Sequence, residues 1–209
     1  MFLKPDTPVL ATFDHDYPEW HKGRSEFSLW YLEILDVALL NYLEKLRTHF
    51  SDFLYTPNTR QFHITLFICG FLSSDLKKYD DDFSQIQLQT HIDVLNRIEL
   101  PNFKLRTRKI NSFESALFVE IEDEQGILKS IRNLLAKLST EIAPLEYCPH
   151  ITLGLYQKAV TSDEIFRRIS QIDQQEFDLG IDHLTFGVYQ AHILQGPLQV
   201  LHQQHLGIN

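Results

Sequence analysis

The sequence predicts an α+β fold that is bilobal, with two pseudo-symmetric, antiparallel-rich sheets backed by helices around a central cleft. Three observations carry that expectation. A strand followed by an amphipathic helix and a second strand occurs once in each half of the chain, and the tetrapeptide His-Ile-Thr-Leu is written twice, from His63 and from His150. The separations also match, at 36 residues from Phe27 to His63 and 34 from Ala116 to His150. Self-similar order at matched spacing is the mark of a duplicated unit whose copies cover each other's apolar faces. The expected bounds are one domain over 1–209, with an arm at 1–26, lobe one at about 27–112 and lobe two at about 113–206.

Composition agrees with such a fold. With 209 residues, 44% hydrophobic and 12% aromatic, the chain can bury a substantial core. A net charge of -9 repels polyanions, which argues against duplex DNA or long RNA as partner and leaves a small nucleotide or short RNA end. Two cysteines, Cys69 and Cys148, are too few for a disulfide scaffold, so a cytoplasmic setting and small buried thiols are expected. The opening MFLKPDTPVLATF has no continuous apolar run for a secretory signal, and 66–72 is far too short to cross a bilayer.

Element by element, 1–25 holds Pro5, Pro8, Pro18 and Gly23 without a sustained period and reads as an arm. Residues 27–35 (FSLWYLEIL) read as a buried strand. Asp36 then stands at an N-cap, followed by apolar residues at Val37, Leu40, Leu43, Leu46 and Phe50 with helical spacing. Pro57 and Asn58 break the chain before a strand over 61–69 that Gly70 ends. The acidic run 80–82 is expected on a solvated loop, 83–98 on a helix, and 103–110 on a strand with Lys104, Arg106 and Arg108 on one face. The second copy gives a strand at 116–122, a helix at 125–138 and a strand at 149–156. A helix at 162–172 capped by Thr161 or Ser162 and strands at 183–189 and 198–202 complete the chain.

On a strand, residues two apart lie about 6.5 to 7 Å apart on one face. His63 and Thr65 therefore share a side, as do His150 and Thr152, while Ile64, Leu66, Ile68, Ile151, Leu153 and Leu155 face the core. Two imidazoles and two hydroxyls brought together suit phosphodiester chemistry without a metal. One neutral imidazole accepts a proton from the attacking oxygen, and the other, protonated, gives one to the departing oxygen. An unperturbed pKa of about 6.5 makes histidine apt for both roles. The hydroxyls can donate to the non-bridging phosphate oxygens. His-x-Thr alone is a weak signal, since His183-Leu184-Thr185 is a third copy, but His183 has no counterpart in the other half and reads as structural. By the same period, Phe67 and Tyr156 fall on the faces of the two pairs and can stack on a nucleobase, with core packing as the rival use.

The contexts FHITLFICGFL and YCPHITLGLY resemble the 2H phosphoesterase superfamily, which includes the bacterial RNA 2',5' ligase-like proteins and the cyclic phosphodiesterases. The resemblance runs over about 27–206, with DHLTFGVYQAHILQGPLQVLHQQHL similar to the family's closing strands. It implies a bilobal α+β fold with catalytic His63 and His150 and phosphate-binding Thr65 and Thr152. It also implies metal-independent action on 2',3'-cyclic phosphates or 2',5' linkages, which with the acidic charge gives the expectation of a cytoplasmic hydrolase of small nucleotides or short RNA ends. Many bacterial members carry Arg or Lys shortly after the second motif, where this chain has Gly154, Leu155 and Tyr156.

Other readings stay in view. Lys104, Arg106 and Arg108 either guide an anion or guard a sheet edge. The stretch 16–24 (DYPEWHKGR) is either a lid over the cleft or an arm anchored by Trp20. A metal is not expected, because His202 and His205 form H-x-x-H without carboxylate or Cys partners. No cofactor is expected either, since no glycine-rich phosphate loop is present, and Cys148 reads as an inert thiol. Two rivals to the phosphodiesterase are a non-catalytic nucleotide or RNA-binding module of the same fold and a metal-dependent hydrolase.

Overall fold

The computed structural model describes residues 2–15, 17–74, 77–142 and 146–207. After the arm, with its short helix α1 (Pro18–His21), the first repeat runs β1 (Glu26–Glu33), α2 (Val37–His49) and β2 (His63–Ser73). It continues through β3 (Asp82–Ser84) and α3 (Gln85–Arg97) to β4 (Phe103–Ser112). The second runs β5 (Ala116–Glu122), α4 (Ile127–Leu135), β6 (His150–Leu155), α5 (Ser162–Ser170), β7 (Asp178–Ile181), β8 (His183–Gln190) and β9 (Gln199–His205).

Local chemistry sets the helix starts. The Asp36 carboxylate accepts from Leu39 N at 2.8 Å and the Thr161 hydroxyl from Glu164 N at 3.4 Å, each satisfying an orphan donor of the first turn. Ser84 and Gln87 form a capping box that opens α3 two residues later than the apolar period suggested.

The strands form one sheet in the order β7-β4-β5-β6-β2-β1-β8-β9, antiparallel throughout, with β3 added parallel to β2. The two expected sheets are thus the two arms of a single sheet. They are joined where β2 meets β6 at one facing pair, Ile64 and Ile151. The halves also exchange their closing strands, so the sheet does not divide at 112/113. The strand β4, from the first repeat, pairs with β5, and β8, from the second, pairs with β1. The helices cross over in the same way, α2 packing on β6 and α4 on β2. One continuous core results, running from Trp30, Leu43 and Ile64 to Val119, Ile131 and Ile151.

Three local expectations are corrected. Gly70 does not end a strand: β2 continues to Ser73, and at φ +113° a side chain there would strike the Asp81 carbonyl, which accepts from Phe71 N at 2.8 Å. The acidic run is not all solvated, since Asp82 is buried, accepts from Lys78 N and Tyr79 N, and pairs with Arg24 at 2.6 Å. Arg106 and Arg108 neither guard an edge nor face a cleft. In an interior strand they pair at 2.7 Å with Asp178 and Glu176. Among the described residues no helix is long and apolar enough to cross a membrane.

Candidate functional site

The single β2/β6 bridge places the repeated tetrapeptides on either side of a local two-fold axis. One step from the Ile64–Ile151 pair, the register sets His63 opposite Thr152 and Thr65 opposite His150, with all four half-exposed on the face away from the core. Diagonal neighbours in such a pair stand about 7 to 8 Å apart, which lets two rings flank one phosphate.

Each copy then carries a bulge at the same letter. Trp30 faces Phe67 while Tyr31 faces Thr65, leaving Leu66 over, and Leu117 faces Gly154 while Phe118 faces Thr152, leaving Leu153 over. The alternation of faces flips there, and both copies show one burial sequence: half-exposed His, buried Ile, half-exposed Thr, buried Leu, buried residue, half-exposed residue. This flip overturns two site expectations. Phe67 packs in the core beside the His91 ring, and Tyr156 is fully buried with its hydroxyl 2.6 Å from Ser112 Oγ, so neither lines a cleft. Leu155 and Ile68, expected in the core, are instead the half-exposed ones.

Beyond the bridge β2 and β6 splay apart, and an arginine from the opposite half's helix reaches each bulged leucine. Arg47 of α2 donates from Nε to Leu153 O at 3.0 Å and lies 3.9 Å from the Phe62 ring. Arg132 of α4 donates to Leu66 O at 2.5 Å and lies 3.9 Å from the Tyr147 ring. Each fills the wedge that the bulge opens and satisfies a carbonyl.

The histidines are held alike. His63 Nδ1 lies 2.8 Å from Gln61 O and His150 Nδ1 2.7 Å from Cys148 O. A carbonyl only accepts, so Nδ1 carries the proton in each ring and leaves Nε2 as the exchangeable nitrogen. Edge-on aromatic contacts fix the planes, from Tyr31 to His63 and from Phe113 and Phe118 to His150. Burial lowers His63 to about 4, aided by the charges of Arg60 and His150 and partly offset by the Gln61 carbonyl. Burial also lowers His150, against the smaller pull of the Cys148 carbonyl.

A cavity of 380 Å³ opens from this face, lined by His63, Thr65, Thr152 and Leu155; His150 is not among its lining residues and packs edge-on against Phe113 and Phe118. The arm supplies a wall to it. Its early residues are pinned to the end of β4 and the chain just after β6, with Leu3 N bonded to Ser112 O at 2.9 Å and Thr12 N to Tyr156 O at 2.7 Å. Asp14 accepts from Tyr55 Oη at 2.7 Å, and Trp20 rests on Phe27 and Phe71 of the first half. Asp14, Tyr17 and Trp20 line the cavity, and Trp20 stays 38% exposed. Asp16 lies outside the described residues.

Among the lining residues that sequence reasoning missed are Arg47, Asn58, Arg60 and Gln195. Arg60 lies 3.8 Å over the Tyr189 ring and donates to Gly196 O at 2.8 Å. Gln195, at φ +51°, ties Leu155 N to the Tyr55 carbonyl through its amide. A signal for Arg47 was present, since Leu43-x-x-Leu46-Arg47 and Leu128-x-x-Ile131-Arg132 align in the corresponding helices. His183 is not among the lining residues and bonds Asp182 at 2.6 Å. Burial raises the Cys148 thiol, which keeps it protonated. Among the described residues, no three His, Cys, Asp or Glu side chains stand together as metal ligands.

A family model described as "2'-5' RNA ligase superfamily" matches residues 35–192. Among solved structures, E. coli LigT complexed with 3'-AMP superposes with a TM-score of 0.63 at 14% identity, covering 87% of this chain and 98% of that one. A structure titled only as a phosphoesterase gives 0.57 at 14% identity, covering 88% and 99%. The protein TT0787 of Thermus thermophilus gives 0.55 at 14%, covering 86% and 97%. No curated protein matches.

Proposed function

The chain belongs to the 2'-5' RNA ligase superfamily, and on that footing we propose that it is a metal-independent phosphodiesterase opening 2',3'-cyclic phosphates or 2',5' linkages in small nucleotides or short RNA ends. The observation that carries this reading is the diagonal pair of histidines about the Ile64–Ile151 bridge, each with Nδ1 committed to a carbonyl and each flanked by a threonine. Arg60, whose charge disfavours a proton on His63, makes His63 the base and His150 the acid. His63 Nε2 takes a proton from water as its oxygen bonds to phosphorus, and the bond from phosphorus to a ribose oxygen breaks. That oxygen takes the proton from His150 Nε2, and exchange with solvent resets both rings. Thr65 and Thr152 donate to the non-bridging oxygens. LigT has been crystallised with 3'-AMP and with ATP, which supports a nucleotide as ligand.

The test is incubation with adenosine 2',3'-cyclic phosphate and with 2',5'-linked oligoadenylate in EDTA. Turnover of either is expected, with the kcat/KM optimum below pH 6.5. The base works above about 4 and the acid only below the lowered value of His150. Activity restored only by a divalent ion would replace the reading with a metal-dependent one. Binding without turnover would leave a nucleotide-binding module.

A further inference from the structure

The two splayed wedges beside the β2/β6 bridge are built alike and neutralised differently. On one side Arg132 meets the Glu141 carboxylate through two bonds, 2.8 Å to Oε1 and 2.5 Å to Oε2, and Glu141 Oε1 also accepts from Ile68 N at 3.3 Å. On the other side the matching backbone donor, Leu155 N, bonds at 3.0 Å to Gln195 Oε1, which also accepts from Asn58 Nδ2 at 3.1 Å. A neutral amide therefore stands where the mirrored wedge has a carboxylate. The ion pair of Arg47 is with Glu44, at 3.4 Å, from a side chain 60% exposed, whereas Glu141 is 11% exposed. Arg47, Asn58, Leu155 and Gln195 line the cavity with His63 and Thr152, and Arg132, Glu141 and Ile68 do not.

We propose that Arg47, on the lining of the cavity, is the receptor for a phosphate group of the ligand, which supplies the charged partner that Glu141 supplies to Arg132 from within the chain in the other half. One arm of its guanidinium is committed to Leu153 O and its face to the Phe62 ring, so the remaining fork is held in place before any ligand arrives. Burial works against the charge of Arg47 and exposed Glu44 compensates it weakly, so an entering anion supplies the missing partner. The reading given above supplies the nucleotide as ligand, but recognition of phosphate by Arg47 stands apart from whether any bond is broken.

Calorimetric titration with inorganic phosphate, 3'-AMP and adenosine tests this on the wild type and four variants. Gln195→Glu copies Glu141 into the cavity wedge. It should weaken phosphate and 3'-AMP about tenfold or more while leaving adenosine within about twofold. Arg47→Gln should lose phosphate affinity in the same way, and Arg47→Lys, which keeps the charge but neither the fork nor the bond to Leu153 O, should fall between it and the wild type. Glu141→Gln should leave phosphate affinity unchanged. The proposal is overturned by a wild type that binds no phosphate, by Gln195→Glu and Arg47→Gln that bind phosphate normally, or by adenosine affinity falling in step with phosphate. Equal losses in Arg47→Lys and Arg47→Gln would likewise overturn it, since the charge of Arg47 would then contribute nothing. Should phosphate affinity follow the charge of Arg47 while neither test substrate turns over, the phosphodiesterase reading fails and this one stands.

Discussion

The wedge beside Leu66 and the wedge beside Leu153 come from the same repeated plan, yet one is sealed by an internal ion pair and the other opens on a cavity. In this fold, then, the symmetric features and the asymmetric ones do separate jobs. What both halves share, namely the histidine with its carbonyl, the threonine, the bulged leucine and the arginine, is laid down twice about the bridge. What only one half has, Gln195 in place of a carboxylate together with Arg60 and the arm, marks the side on which the cavity opens. The aromatic neighbours differ too: Tyr31 touches His63 where Phe118 touches His150, and burial carries the Tyr31 hydroxyl to about 12, so it stays protonated beside the ring.

Removing a shared feature should do the most damage. His63→Ala and His150→Ala should each lower kcat/KM on a substrate found to turn over by about 10²- to 10⁴-fold, because each removes one proton-transfer partner. A loss confined to one variant would end the two-histidine scheme. Next, Glu141→Gln breaks the sealed wedge and leaves Arg132 half-buried and unmatched. Urea denaturation should show a loss of about 3 kcal/mol, whereas Glu44→Gln on the open side should change stability by less than about 1 kcal/mol.

A comparable effect comes from acid. His91 is fully buried between Trp30 Nε1 at 3.2 Å and Ser139 Oγ at 3.0 Å, and burial lowers it to about 4. The unfolded chain binds the proton near 6.5 and the folded chain only near 4, so stability is whole above 6.5 and declines as pH falls to about 4. The decline amounts to about 3 kcal/mol and is flat below. His91→Gln keeps hydrogen-bonding capacity without titrating, and should flatten part of the decline in urea midpoint between pH 6.5 and 4. The mildest change concerns Tyr156. Tyr156→Phe removes the bond to Ser112 and should cost about 1 kcal/mol in denaturation with kcat/KM unchanged, whereas a fall in activity would return Tyr156 to the cleft.

Much of the frame was legible in the chain, because local signals wrote it. The duplicated His-Ile-Thr-Leu located both motif strands, and Asp36 and Thr161 marked helix starts. Phe67 and Tyr156 were misplaced for one physical reason. Period two holds only while the ladder is unbroken, and a single extra leucine in each strand moves every later side chain to the other face. Short β3 and β7 gave no periodic signal, and Asp182, directly after β7, breaks the apolar pattern. Gln195 had no signal at all, since its role depends on a loop with a left-handed residue brought beside β6 by β8 and the chain that follows it.

The exchange of β4 and β8 has a mechanical consequence. Each half is laced into the other, the first through β4 and the second through β8, so the two halves cannot swing apart like jaws without breaking strand pairs. A backbone cut between Phe113 and Ser115 would free no autonomous piece, and the nicked fragments should migrate together until a denaturant unravels the braid.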